Sequence, residues 1–187
     1  VVSKILKNSW YFFEQAVPDD VCNKIIESAK SFDSGTIEKN GVDESIRKSG
    51  VYFTNEQWLY DLVWPFMEIA NKDSGWNYEV SSAEDFQITR YLEREFYSEH
   101  VDGCIDHSSI RNVPENKFLN GKVRKLSMTI NLNDDYKGGE LEINGETVQI
   151  KKGTIVFFPS FLKHQVKPVT KGNRFSLVAW FLGPPFK

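Results

Sequence analysis

The 187-residue chain carries three histidines, so any site that needs two imidazoles must draw on His100, His107 and His164. His100 and Asp102 stand one residue apart at the end of a strand-like run. On a strand, residues i and i+2 project from the same face. An imidazole nitrogen and a carboxylate oxygen would then point together, as two corners of a metal site. His164 opens a later strand-like run and supplies the third corner if a closed sheet brings it alongside. Two imidazoles and one carboxylate on a single face leave the opposite coordination positions open, which suits non-haem Fe(II) chemistry with O2. The His-x-Asp pair alone is weak, because short motifs recur by chance. The neighbourhood of His164 adds weight. In Arg174-Phe175-Ser176-Leu177-Val178-Ala179-Trp180, period two places Arg174, Ser176, Val178 and Trp180 on one strand face. An arginine pointing into a barrel is costly unless an anion meets it. A small dicarboxylate matches the guanidinium fork; the competing reading pairs Arg174 with one of the 26 acidic side chains.

The elements that must position these residues divide the chain. In the first third, Val21, Cys22, Ile25, Ile26 and Ala29 follow Pro18-Asp19-Asp20 at helical spacing. A second helix is expected after Thr54-Asn55-Glu56, with Trp58, Leu59, Leu62, Val63, Phe66 and Ile69 inward and a kink at Pro65. The polar run from Ser31 to Ser49 reads as a surface excursion. From Trp76 onward short β-rich runs take over: 76–80, 85–92, 96–102, 123–132, 140–143, 147–150, 154–158, 164–169 and 174–182. Asn144-Gly145 predicts a type I′ hairpin between two of them. Many short strands with turn signals argue for a mainly β (α+β) domain, a double-stranded β-helix or jelly roll with supporting N-terminal helices. We expect a single domain over 1–187, with 1–75 mostly helical and 76–187 forming the jelly-roll core. The segment from Gly103 to Lys122 shows neither period and leaves the strand that carries His100. It is expected to be a substrate-selecting lid, with His107 solvated within it.

Composition narrows the function classes. The formal net charge is −3 with 40% hydrophobic residues, a balance that gives no broad attraction to nucleic acid or to an anionic membrane. Two cysteines, Cys22 and Cys104, cannot build a disulfide framework, which points to a cytoplasmic protein. The first residues hold no apolar run of signal-peptide length.

Taken in order, the motifs resemble the Fe(II)/2-oxoglutarate-dependent dioxygenases, and most of all their prolyl-4-hydroxylase-like branch in bacteria and phages. The residues that carry the resemblance run from about Asp85 to Pro184. They are Gln87-Ile88-Thr89-Arg90-Tyr91, His100-Val101-Asp102, Arg124-Lys125-Leu126-Ser127-Met128-Thr129-Ile130-Asn131-Leu132, Tyr136-Lys137-Gly138-Gly139-Glu140-Leu141, Gly153-Thr154-Ile155-Val156-Phe157-Phe158-Pro159-Ser160, His164 and Arg174. The resemblance implies that His100, Asp102 and His164 hold iron and that Arg174 binds the distal carboxylate of 2-oxoglutarate. It also implies that Tyr91 lines the cosubstrate pocket. Asn131 stands where some relatives have a second cosubstrate-binding tyrosine, and Ser176 is a substitute donor beside Arg174. The implied cofactors are Fe(II), 2-oxoglutarate and O2, with ascorbate an optional addition. The implied reaction hydroxylates an unactivated C–H bond and releases succinate and CO2. Its primary substrate is left open among a prolyl residue in a peptide or protein, a free amino acid and another small molecule. Two other classes compete: a non-catalytic cupin-like metal-binding module and a different metalloenzyme on the same fold.

Overall fold

The computed structural model describes residues 8–35 and 43–187. Two antiparallel sheets dominate, and alternation along their strands decides which side chains meet. The larger sheet orders its strands Tyr11–Phe13, Ile155–Pro159, Val123–Asn131, Arg174–Gly183, Phe86–Tyr91, Gly50–Thr54 and Asp33–Ser34, with Ser82–Ala83 beside the end of Arg174–Gly183. The smaller sheet orders Glu146–Val148, Leu141–Ile143, His164–Val166, Phe96–His100 and Arg47–Lys48.

One face of the larger sheet sends Phe86, Ile88, Leu126, Met128, Ile130, Leu177, Ala179 and Phe181 against helices Asp19–Ser28 and Gln57–Asp73. The helices answer with Cys22, Ile25, Leu59, Val63, Met67 and Ala70. The other face sends Tyr91, Val156 and Phe158 toward Leu141, Ile143, Val148 and Val166 of the smaller sheet. Both sheets are therefore half-committed to apolar packing, and the polar residues of period two are left facing the space between them. At the predicted hairpin, Asn144 and Gly145 both have positive φ, 53° and 81°, between Leu141–Ile143 and Glu146–Val148. No helix among the described residues is long and apolar enough to cross a membrane.

Several expectations need correction. The N-terminal third is not simply helical: it also supplies strands Tyr11–Phe13, Asp33–Ser34, Arg47–Lys48 and Gly50–Thr54, so the supposed surface excursion includes sheet edges. Gly50–Thr54 pairs along Phe86–Tyr91, and such short strands are specified by their partners more than by their own periodicity. The run 76–80 is not a strand, because its polar backbone is served by a side chain instead of a ladder. Asn71 Nδ2 donates to the Tyr78 carbonyl at 2.8 Å and Asn71 Oδ1 accepts from the Tyr78 N–H at 2.9 Å. The run 164–169 is broken at Pro168, after which Val169–Lys171 pairs with Lys137–Gly138 in a separate ribbon. The helix Gln57–Asp73 continues through Pro65. Part of the Ser31–Ser49 run lies outside the described residues.

Candidate active site

His100 closes the strand Phe96–His100, His164 opens the strand His164–Val166, and the two are register partners in the antiparallel ladder. Their rings lie 4.2 Å apart between centroids. Tyr97 stacks on His100 at 3.5 Å and Phe158 meets His164 edge-on at 4.7 Å, so neither ring can swing freely. Asp102 stands just beyond the strand end. Its backbone N–H donates to the Ser160 carbonyl at 2.9 Å, and the Gly103 N–H donates to the same oxygen at 3.0 Å.

The hydrogen bonds fix the imidazole tautomers. His100 Nδ1 lies 2.8 Å from the Ser98 carbonyl and His164 Nδ1 lies 3.0 Å from the Leu162 carbonyl. A carbonyl only accepts, so each Nδ1 carries a hydrogen, which leaves Nε2 as the nitrogen that a metal can take once its own proton is lost. Both Nε2 atoms face Asp102: His100 Nε2 is 3.6 Å from Oδ1 and His164 Nε2 is 3.3 Å from Oδ2. One ligand atom from each residue falls within 4.8 Å of the others. Burial pushes the Asp102 carboxyl up, but the charge of His164 and the hydrogen bonds of both imidazoles hold it well below the usual carboxylate range. Burial lowers His100, against the Asp102 hydrogen bond, whereas at His164 burial is outweighed only by the charge and hydrogen bond of Asp102 together with the Leu162 carbonyl, which raise it. Burial pushes the Tyr97 phenol up to about 12, so it stacks as a neutral ring. Once both Nε2 atoms have lost their protons, the two imidazoles and the carboxylate can present lone pairs to one point, a donor set that fits a divalent transition metal.

The same cavity, about 410 Å³, extends from these three residues to Arg174. Arg174 is 1% exposed. Its Nη1 donates to Ser176 Oγ at 3.3 Å, its Nε has no partner, and no carboxylate among the described residues forms an ion pair with it. A buried guanidinium without an anion is costly, so the cavity fits a carboxylate at this end. Tyr91 and Ser176 also line the cavity, and the guanidinium sits 5.6 Å over the Tyr91 ring.

Asn131 is a different case. It is a register partner of Ser176, but it does not line the cavity. Its amide donates to the Asn133 carbonyl at 2.8 Å and to Asp134 Oδ1 at 3.3 Å, and its oxygen accepts from the Tyr136 hydroxyl at 3.0 Å. The turn thus occupies both amide hydrogens of Asn131. His107 is also apart: its Nε2 lies 2.7 Å from the Phe186 carbonyl on the surface. His107→Ala is therefore expected to leave metal affinity unchanged, measured by titrating the metal-free chain with Mn(II) or Co(II). A loss would misplace the triad.

The segment from Gly103 to Lys122 has no regular structure but is tied down. The Arg111 N–H donates to the Lys122 carbonyl and the Gly121 N–H to the Arg111 carbonyl, both at 2.8 Å. Arg111, Val113 and Leu119 form part of the cavity wall. Arg111 reaches Glu84 at 2.7 Å, and Arg124 meets the same carboxylate at 2.9 Å and 2.6 Å while lying 4.0 Å over the Trp180 ring. Reasoning from the sequence missed Glu84, Arg111, Arg124, Arg47 and Ser127 as cavity residues. Only Ser127 left a signal, as a polar residue at the inward phase of Val123–Asn131. Lys125 is buried with its ammonium 3.5 Å over Phe186.

Burial pushes the Glu84 carboxyl up, but the hydrogen bonds and charge of Arg124, then of Arg111, hold it below its ordinary value of 4.5. A carboxyl depressed on folding adds stability above its unfolded pKa and loses it as pH falls through the folded one. Glu84→Gln should therefore cost about 2 kcal/mol at neutral pH. In urea melts, the gap from the parent should narrow as pH drops below 4.5. A gap that widens in acid would contradict the assignment.

Comparison with known proteins gives a consistent picture. A family model described as the 2OG-Fe(II) oxygenase superfamily matches residues 86–182. The "Putative prolyl 4-hydroxylase" of Acanthamoeba polyphaga mimivirus is 29% identical over 178 residues, covering 86% of this chain and 68% of that protein. A PKHD-type hydroxylase of Idiomarina loihiensis is 33% identical over 99 residues, covering 50% of this chain and 39% of that protein. The chain thus spans well under half the length of that second relative. The crystal structure of a Pseudomonas putida prolyl-4-hydroxylase superposes with a TM-score of 0.70 at 19% identity, covering 97% of this chain and 96% of that one.

Proposed function

Because the chain belongs to the 2OG-Fe(II) oxygenase superfamily, we propose that it hydroxylates an unactivated C–H bond in the manner of a prolyl hydroxylase, consuming 2-oxoglutarate and O2 and releasing succinate and CO2. The two facing antiparallel sheets support reading the fold as a double-stranded β-helix. One observation carries the functional reading: a buried arginine that no carboxylate among the described residues pairs with shares a cavity with two imidazoles and a carboxylate whose ligand atoms converge. His100, Asp102 and His164 would hold Fe(II), and Arg174, with Tyr91 and Ser176, would hold the distal carboxylate of 2-oxoglutarate. When bound, the iron would supply the centre at which O2, the oxidant, couples loss of CO2 from 2-oxoglutarate to hydroxylation. The chain's own part is orientation and dryness. Tyr97 and Phe158 brace the imidazoles, Arg174 sets the depth of the cosubstrate, and Leu141, Val166 and Val178 keep that end apolar. A prolyl residue in a peptide or protein is the favoured primary substrate, by analogy with the relatives. Ascorbate and a cytoplasmic location rest on the sequence alone.

The test is succinate formation from 2-oxoglutarate, with Fe(II) supplied anaerobically and O2 then admitted, screened against prolyl peptides and free amino acids. Metal binding without loss of 2-oxoglutarate would favour the cupin-like module instead. The wall formed by Arg111, Val113 and Leu119 supports a substrate-selecting role for its loop. Deleting residues between Ser108 and Asn120 is expected to lower coupled hydroxylation while uncoupled 2-oxoglutarate turnover survives. The ratio of hydroxylated product to succinate measures this, and an unchanged ratio would remove the selecting role.

A further inference from the structure

Behind Asp102 lies a buried pair of serines that the reading above does not use. Ser127, on the central strand Val123–Asn131, donates from Oγ to Asp102 Oδ2 at 2.7 Å. Ser127 Oγ is also 3.0 Å from Ser160 Oγ. A hydroxyl has one proton to give. With that of Ser127 committed to the carboxylate, the Ser160 hydroxyl must be the donor of the second bond, which makes a directed relay from Ser160 to Ser127 to Asp102. Ser127 is 1% exposed and Ser160 is 0% exposed, so water does not compete for either bond. The carbonyl of Ser160 accepts the N–H groups of Asp102 and Gly103, and Arg124 Nη1 donates to the Asp102 carbonyl at 3.3 Å. A Cβ on Gly103 would come within 3.1 Å of the Arg124 carbonyl oxygen and 3.4 Å of Ser160 Cβ, so the backbone beyond Asp102 is packed closely against the strand Val123–Asn131 and the turn after Ile155–Pro159.

We propose that Ser127 is a positioning residue that makes Asp102 a one-oxygen ligand: it engages Oδ2 and leaves Oδ1 for the metal. The inference rests on the metal reading of His100, Asp102 and His164. A carboxylate free to turn can offer both oxygens to a cation, and the second would take a position that cosubstrate or O2 needs. Because the backbone around Asp102 is held independently, Ser127 governs the rotation of the carboxylate group rather than the placement of the residue.

The test titrates the metal-free protein with Co(II) and records its visible absorption, which reports coordination number without any turnover. Ser127→Ala is expected to weaken Co(II) binding by about 10–100-fold, the usual cost of losing an outer partner of a ligand. It should also shift the spectrum toward a higher coordination number. Ser127→Thr keeps the hydroxyl and should return the spectrum to that of the parent. Ser160→Ala removes the donor to Ser127 but keeps the backbone carbonyl, and should leave the spectrum as in the parent. An unchanged Ser127→Ala spectrum and affinity would overturn the proposal. So would a Ser160→Ala spectrum as altered as that of Ser127→Ala. Should Ser127→Ala fail to fold, Ser127→Cys, with its weaker and longer donor, carries the same comparison, and a spectrum equal to the parent's overturns the proposal there too. Failure of the parent protein to bind Co(II) would sink the metal reading itself, a distinct result.

Discussion

Asp102→Ala should lose metal binding and turnover together. The carboxylate is the only anion of the triad, and its side chain is only 9% exposed, so no solvent ligand replaces it without a change in the site. Outer partners of metal ligands typically cost 10–100-fold in affinity; loss of the anionic ligand itself should exceed about 100-fold by that measure. The two imidazoles would remain, braced by Tyr97 and Phe158 and by their Nδ1 bonds to backbone carbonyls. The fold should survive, so a circular-dichroism melt close to that of the parent accompanies the loss. Full turnover in this variant would remove the site assignment. Asp102→Glu is expected to be nearly as damaging, because one added methylene carries the carboxylate away from Ser127 and from the point where the lone pairs meet.

Arg174→Ala should act at the other end of the cavity and show the opposite pattern. Truncating one partner of a buried, hydrogen-bonded charge pair costs about 2–5 kcal/mol, or roughly 30-fold and upward in the KM for 2-oxoglutarate. Metal affinity should change little, because none of the triad's hydrogen bonds involves Arg174. Arg174→Lys is expected to recover only part of the loss: an ammonium supplies the charge but not the fork. The free chain offers a second readout. Its guanidinium is buried with an unpartnered Nε, so Arg174→Met should melt at a temperature equal to or above the parent's. 2-Oxoglutarate should raise the melting temperature of the parent alone. Collapse of metal binding with 2-oxoglutarate affinity intact would show that Arg174 has been misassigned.

These two predictions draw on parts of the site that were legible to different degrees. The alternation of Arg174, Ser176, Val178 and Trp180 against Leu177, Ala179 and Phe181 could be read directly. Strand geometry separates the two faces every second residue, and one face packs on helices while the other lines the cavity. The closeness of His100 and Asp102 was legible for a related reason, although Asp102 lies past the strand end and is held by the Ser160 carbonyl. The Asn144-Gly145 hairpin was legible because a two-residue I′ turn needs positive φ at both positions, which Asn and Gly tolerate best.

Other features depend on partners distant in the chain. His164 faces His100 only because the strands that carry them are adjacent and in register. Gly50–Thr54 is a strand because Phe86–Tyr91 pairs with it. Asn131 shows the limit most clearly: its strand phase is the same as that of Ser127, yet a neighbouring turn consumes one side chain's hydrogen bonds while Asp102 receives the other's. Period and spacing settle which way a side chain points. Which partner it meets, and whether any of its bonding capacity is left for a ligand, follows from long-range pairing and burial, and only the tertiary structure decides that.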